Sequence, residues 1–335
     1  MKPQKNLGIT LSYDFIPPTL CNDLLRVLDD SNFTHLFVPE IWGRDAFTQI
    51  ASMANHTSNL ILGTGIVNLY SRTPATLAQT AAGLHELTDG KFILGLGLSG
   101  PIVIQDWHGV DFYHPSPLQR TREYLEIVRL IFSGERVNYS GQLFSLKNFK
   151  LNYDTPVEIP LFLAAIGPRN VQLAGELADG WLPIWTSFTL SPKPKKDLEK
   201  GLAQRSPKLR TSFDIAPYVI TVASDSEKAR KLVQKHLAYY IGSMGTFYYQ
   251  NMKRLGFTTE ADRIKIAWNA GDREIAALSV SQTMVEKVAI LGKPEDIVTR
   301  YQELHKSGVN LPVVMPPFGC PPDLAMETIA AFSEL

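Results

Sequence analysis

The chain is 335 residues long, 44% of them hydrophobic, and its 33 Lys+Arg balance 33 Asp+Glu. Zero net charge provides no field to draw in nucleic acid or an anionic membrane. No run reaches the ~18 apolar residues a membrane span requires, and the first residues lack the apolar stretch of a signal peptide. The cysteines, Cys21 and Cys320, lie far apart. They form no metal-type spacing and no disulfide framework, which fits a reducing cytoplasm.

In chain order, residues 7–12 form a short apolar strand, and Pro18 and Thr19 lead into a helical pattern carried by Leu24, Leu25, Val27 and Leu28. A second buried strand, 35–39, stops at Pro39. Asp45 then caps a helix over 46–57. Strand 60–63 precedes helix 74–87. Strand 92–98 precedes a long loop and a periodic helix over 118–132. The Ser140-Gly141 pair between β-prone runs predicts a hairpin insertion near 136–150. Strand 161–165, helix 168–177 and strand 179–184 follow, then an exposed basic loop from Ser191 to Lys196 that enters a helix. Strand 213–223 leads to an amphipathic helix over 227–241. From Gly242 to about Val288 the alternation lapses into polar helical stretches holding Phe247, Tyr248, Tyr249, Phe257 and Trp268. With the flanking helix this is a helical insertion near 224–290, placed to cap the fold or meet another subunit. Helix 294–306, strand 309–315 and helix 324–332 complete the chain.

Eight strands, most followed by a helix, point to a single domain folded as a (β/α)8 TIM barrel with insertions. The same alternation permits a doubly wound open sheet.

Three strand ends carry the candidate chemistry. Ile61–Pro74 reads Ile-Leu-Gly-Thr-Gly-Ile-Val-Asn-Leu-Tyr-Ser-Arg-Thr-Pro. A buried strand breaks at glycines, where main chain can bulge and let a flat ligand lie close, and Pro74 opens a helix. Without a ligand the same stretch is a tight strand-to-helix turn. Gly95-Leu96-Gly97-Leu98-Ser99-Gly100 matches the dinucleotide letters G-x-G-x-x-G, but Pro101 follows and no helix opens there, so the Rossmann reading is rejected. Its glycines still place permissive backbone, with Gly97 and Ser99, on the rim of a barrel that carries active sites. In Ala164-Ala165-Ile166-Gly167-Pro168-Arg169-Asn170, small residues end a strand and Pro168 starts a helix. The free amides at such a start favour an anion, and Arg169 adds charge.

Glu40 and Trp42 follow the second strand, where a carboxylate could contact a cofactor or carry a proton. His85 reads as structural. His108 and His114, in the loop after the fourth strand, are candidates to face substrate. The histidines are too scattered for a metal site.

The residues resemble the bacterial-luciferase-like superfamily, and within it the deazaflavin (coenzyme F420)-dependent oxidoreductases, including methylenetetrahydromethanopterin reductase. Five segments carry the likeness: Phe37 to Ala46; Gly63 to Asn68 with Arg72-Thr73-Pro74; Leu94 to Pro101; Arg120-Thr121-Arg122-Glu123-Tyr124; and Gly167 to Asn170 through Ala178-Asp179-Gly180-Trp181. The resemblance implies a luciferase-like (β/α)8 barrel, cytoplasmic and homodimeric, acting on a small-molecule substrate. It implies a non-prolyl cis peptide in the third-strand bulge, by position Gly65-Ile66, that backs the cofactor ring. Val67, Asn68, Gly97, Ser99 and Ala165 join that cofactor site. Glu40 aligns with the family's second-strand acid, and Gly167, Pro168 and Arg169 would meet the cofactor phosphate. Methylenetetrahydromethanopterin reductases carry a glutamate in the first strand, where this chain has Thr10. Thr10 and Glu40 are therefore the candidates to hydrogen-bond substrate. The implied reaction passes hydride from C5 of reduced F420 to an electrophilic carbon, C=C or C=N. The alternatives are an FMN-dependent monooxygenase on the same fold and a non-catalytic carrier or sensor of flavin or F420.

Overall fold

The structure is a computed structural model that describes residues 6–153, 156–186 and 192–333. Its strands are β1 (Gly8–Thr10), β2 (His35–Val38), β3 (Ile61–Thr64), β4 (Val67–Asn68), β5 (Phe92–Gly97), β6 (Val137–Ser140), β7 (Ser145–Phe149), β8 (Leu161–Leu163), β9 (Gly180–Trp181), β10 (Asp214–Ile215), β11 (Tyr218–Val222), β12 (Ala289–Leu291) and β13 (Val313–Met315). Parallel pairing runs β1–β2–β3–β5–β8–β9–β10.

Two residues separate β10 from β11, one of them Pro217, which has no N–H to give a ladder. Taken together they are one barrel position, because β11 pairs with β13 and β13 with β1. Tyr218 N donates to Pro183 O at 2.8 Å, and Val313 N to Pro217 O at 2.9 Å, sealing the seam on both sides. The sheet therefore closes as a (β/α)8 barrel, with all eight predicted strands in it. The ring strands are apolar almost throughout because both faces are covered. Phe37, Ile93, Phe162, Leu182, Leu311 and Val313 fill the lumen. The larger apolar cluster packs the outer helices against the ring.

Those helices are α1 (Pro18–Asp29), α2 (Ala46–Met53), α3 (Pro74–Leu87), α4 (Pro117–Phe132), α5 (Pro168–Leu177), α6 (Pro192–Leu202), α7 (Glu227–Ser243), α8 (Phe247–Arg254), α9 (Thr258–Asn269), α10 (Arg273–Leu278), α11 (Gln282–Val288), α12 (Pro294–Lys306) and α13 (Pro322–Ser333). Pro at the first turn opens several of them, where its missing N–H costs nothing. Asp45 caps α2 by accepting from Thr48 N at 2.8 Å, and Thr73 caps α3 from Thr76 N at 3.2 Å.

Four details differ from the sequence expectation. The helix from Ala46 is shorter and ends in a 3-10 turn, Ala54–His56. The loop after β5 contains a π-helical stretch, Ile102–Trp107. Pro192 to Lys196 lie inside α6 rather than in a basic loop, and Ser191 falls outside the described residues. β12, at the end of the 224–290 segment, is a strand and pairs parallel with β11. The β6–β7 hairpin stands apart from the ring as a two-stranded sheet. Helices α7 to α11 bury their own apolar cluster around Val233, Leu237, Ile264 and Met284. Among the described residues no helix is long and apolar enough to cross a membrane, and no cluster of His, Cys, Asp and Glu could hold a metal ion.

Candidate active site

A cavity of about 670 Å³ opens at the C-terminal ends of the ring strands. Its wall runs through Thr10, Glu40, Gly65, Gly97, Ala165 and Met315, each at or just past a different strand end. α7 and α8, with the segment after β13, cover it from the other side. The volume is in the range of sites that enclose a small organic ligand.

The third-strand end is where main chain meets this space. The Gly65–Ile66 peptide is cis. Both residues line the cavity. A Cβ on Gly65 would lie 2.0 Å from the Tyr218 hydroxyl, so any larger residue must displace that ring. One residue back, Thr64 Oγ1 donates to Gly95 O at 2.7 Å and accepts from Gly95 N at 2.9 Å. A Cβ on Gly95 would sit 1.9 Å from Thr64 O. Glycines at 65 and 95 thus let β3 and β5 close on each other and on the lumen. Ser99 lines the cavity in the left-handed region, φ 64°.

Of the residues proposed from sequence, Thr10, Glu40, Gly65, Ile66, Gly97, Ser99, Ala165 and Gly167 come together on the cavity wall. Val67 and Asn68 do not reach it. Val67 is fully buried, and Asn68 Oδ1 accepts from Tyr70 N at 3.0 Å and Ser71 N at 2.8 Å, shaping the turn into α3. Pro168 and Arg169 are exposed and off the wall, because the first turn of α5 aims them outward. Asn170, unforeseen, is on the wall, and its buried Oδ1 has no partner. The α5 start has no side-chain cap.

Glu40 is not a free carboxylate. Arg72 donates to both its oxygens, Nη1 to Oε1 at 2.7 Å and Nη2 to Oε2 at 2.9 Å, and Ala46 N donates to Oε2 at 3.0 Å. Arg72 also pairs with Asp45, whose carboxyl is held below its usual range: helix-cap and arginine contacts outweigh its burial. The Tyr124 hydroxyl donates to Arg72 O. The Arg120-to-Tyr124 motif is thereby explained as bracing. Arg122 pairs with Glu176 at 2.7 Å, and buried Glu123 accepts from Gln142, Leu143 and Phe144 amides in the hairpin turn.

The histidine expectation needs correcting. His108 and His114 are exposed and lie off the cavity, His114 facing Asp111. His85 sits in α3, away from the cavity. The histidine on the wall is His236 of α7, which is 4% exposed. Phe318 N donates to its Nδ1 at 2.9 Å, and burial pushes its pKa down to about 3. A neutral ring that accepts at Nδ1 carries its proton on Nε2. That Nε2 is buried with no partner. The Tyr218 hydroxyl on the same wall is likewise unpartnered, and burial raises its pKa well above the ordinary value. The available signal for His236 was its place between Val233 and Tyr240 on the buried face of an amphipathic helix. Tyr218 gave none beyond its strand position.

The family model described as luciferase-like monooxygenase matches residues 12–311. A Mycobacterium tuberculosis protein named "Putative coenzyme F420-dependent oxidoreductase" is 32% identical, over 94% of this chain and 96% of its own length. The 5,10-methylenetetrahydromethanopterin reductase of Archaeoglobus fulgidus is 29% identical, over 91% of this chain and 93% of its own. The solved structure of coenzyme F420 dependent tetrahydromethanopterin reductase from Methanopyrus kandleri superposes with a TM-score of 0.84 at 24% identity, covering 99% of each chain. With the family model spanning most of the barrel, the chain belongs to the luciferase-like family.

Proposed function

We propose that this protein is an F420-dependent oxidoreductase that moves hydride between C5 of the deazaflavin and an electrophilic carbon of a small organic substrate. The observation that carries the reading is the rim itself: Thr10, Gly65, Ile66, Gly97 and Gly167, from separate strand ends, gathered round one cavity of about 670 Å³. The Mycobacterium tuberculosis relative named for F420 supports the choice of cofactor.

The residues fit such a group. A flat ring needs rim that it can approach closely: Gly65 and Gly97 line the cavity with their missing Cβ positions taken up by Tyr218, Ile66 and Ala164, and Gly167 has open space where a Cβ would stand. A phosphate needs donors, and the uncapped start of α5 beside Gly167 and Asn170 offers free amides together with the helix dipole. We assign Gly65, Ile66, Gly97, Ser99, Ala165 and Gly167 to holding it, and give Asn170 the wall position first expected for Arg169. The cofactor, when bound, supplies the hydride chemistry; the protein orients the partners and excludes water. Glu40, tied to Arg72, keeps the β2 end in place rather than moving a proton. Thr10, with no other hydrogen bond from its side chain among the described residues, is free to meet a ligand. A homodimer is the assembly the resemblance implies, and sedimentation tests it.

Titration with F420 and with FMN tests the assignment. Quenching by F420 with a micromolar or tighter Kd, and none by FMN, is the expected result. Tight FMN binding without F420 binding would overturn it in favour of the monooxygenase reading.

A further inference from the structure

The cavity's unused polar groups identify the kind of substrate it takes. Its wall carries two carboxylates among the described residues, and an arginine engages each of them. Glu40 is held by Arg72 at 2.7 Å, and Asp14 by Arg44 at 3.1 Å, with Arg44 N donating to it as well. Neither carboxylate is free to hold a substrate donor without competing with its arginine. Apart from Asn170 Oδ1 at the α5 start, the buried polar atoms left unpartnered on the wall are donors. His236 Nε2 carries a hydrogen with no acceptor, and the Tyr218 hydroxyl has no partner. Both are fixed in place. Phe318 N and the ring of Tyr240, stacked at 4.9 Å, hold the imidazole. Tyr218 packs against Phe37 with its hydroxyl pressed to Gly65, beside the backbone where the reacting ring is assigned. Buried donors without partners are rare in folded proteins and demand an explanation. A ligand acceptor provides one.

We propose that His236 Nε2–H and the Tyr218 hydroxyl are the substrate-binding donors of this cavity, selecting compact carbonyl compounds and their alcohols over hydrocarbons of the same shape. The proposal rests on the oxidoreductase reading and narrows its electrophilic carbon to one bonded to, or conjugated with, oxygen. The chemistry balances. Adding hydride to a carbonyl carbon sends the C=O π pair to oxygen, which takes a proton from solvent to become an alcohol. The hydride and its two electrons come from the reduced deazaflavin of the proposed reaction, which is oxidised in turn. Donors placed at that oxygen strengthen as its charge grows. A carbonyl substrate therefore uses both groups, and a hydrocarbon of the same shape uses neither.

The test is equilibrium binding to protein loaded with oxidised F420, which cannot reduce a ketone. The probes are cyclohexanone and methylenecyclohexane, which differ by oxygen against CH₂. The parent protein should prefer cyclohexanone by about tenfold or more, as two neutral hydrogen bonds require. Tyr218→Phe removes only the hydroxyl. His236→Asn keeps an acceptor for Phe318 N–H but loses the outer donor. Each should weaken cyclohexanone by about threefold to tenfold and leave methylenecyclohexane unchanged. The ¹⁵N signal of His236 Nε2 should be that of a neutral protonated nitrogen and should move only with cyclohexanone. Equal binding of the two probes by the parent overturns the proposal, and so does cyclohexanone binding that neither substitution changes. If F420 does not bind, the titrations are run on the unloaded protein. Oxygen selectivity there would keep this proposal and sink the cofactor assignment; F420 binding without oxygen selectivity would do the reverse.

Discussion

His35 and His236 are folded into places where a charge cannot follow them. Burial pushes their pKa values down to about 4 and about 3, and they are 6% and 4% exposed. In the unfolded chain each takes up a proton near 6.5. Below that pH the unfolded state binds more protons than the folded one, so stability falls as pH falls. The slope is about 1.4 kcal/mol per pH unit for each ring until the folded pKa is reached. Moving from pH 7 to pH 5 should therefore cost about 2 kcal/mol per histidine. Denaturant unfolding at the two pH values reads this directly. From these two rings the parent is expected to lose about 4 kcal/mol, and His236→Asn about 2 less than the parent in total. A variant with the parent's full pH dependence would show that His236 is not the group responsible. The same desolvation leaves Nε2–H available to a ligand, so stability and recognition at this residue have one cause.

Among elements, the contact between β3, β5 and β11 sets the shape of the rim. Gly65 gives way to the Tyr218 hydroxyl, and Gly95 to the Thr64 carbonyl. These two contacts differ in what can yield. A backbone carbonyl cannot move without shifting the β3–β5 register, whereas a hydroxyl can be deleted. Gly65→Ala should destabilise by about 2 kcal/mol through overpacking. Combined with Tyr218→Phe, it should cost less than the sum of the two single changes, because the 2.0 Å clash is gone and a 2.8 Å approach to Phe37 Cβ remains. Thermal or denaturant unfolding of the four proteins closes the cycle. Strict additivity would mean the two groups do not meet. The strands themselves were legible as apolar runs ending in Gly or Pro, and the helix starts as Pro and Thr or Asp caps. The partners across the lumen were not. Nothing near Gly65 in the sequence names Tyr218, since contact across a barrel depends on closure and register, which local periodicity does not encode.

At the scale of the whole molecule, one wall of the cavity is barrel and the other is insertion, and sequence treated them unequally. The ring could be read because every strand in it is buried on both faces. The 242–288 segment was legible as helical, but how it docks was not, because its helices bury their apolar residues mainly on one another and on α7. That separation makes its docking testable. Gly242, near the end of α7, lies flat against the Trp268 indole of α9; an added Cβ would be 2.3 Å from Trp268 Cγ. Lys265 Nζ donates to Gly242 O at 2.7 Å, and Arg273 stacks on the indole at 3.8 Å. α8, chained between these helices, brings Phe247, Tyr248 and Gln250 to the cavity. Gly242→Ala gains up to ~1 kcal/mol of helix propensity but forces the indole off, at about 1–3 kcal/mol. α8 to α10 should then exchange their amide hydrogens about tenfold faster, while the ring strands keep theirs. Cofactor affinity, which is assigned to the opposite rim, should stay within about twofold of the parent, and cyclohexanone affinity should fall, since α7 and α8 no longer hold their side of the wall. If ring and insertion lose protection together, the molecule unfolds as one unit and the division of labour between the two walls is wrong.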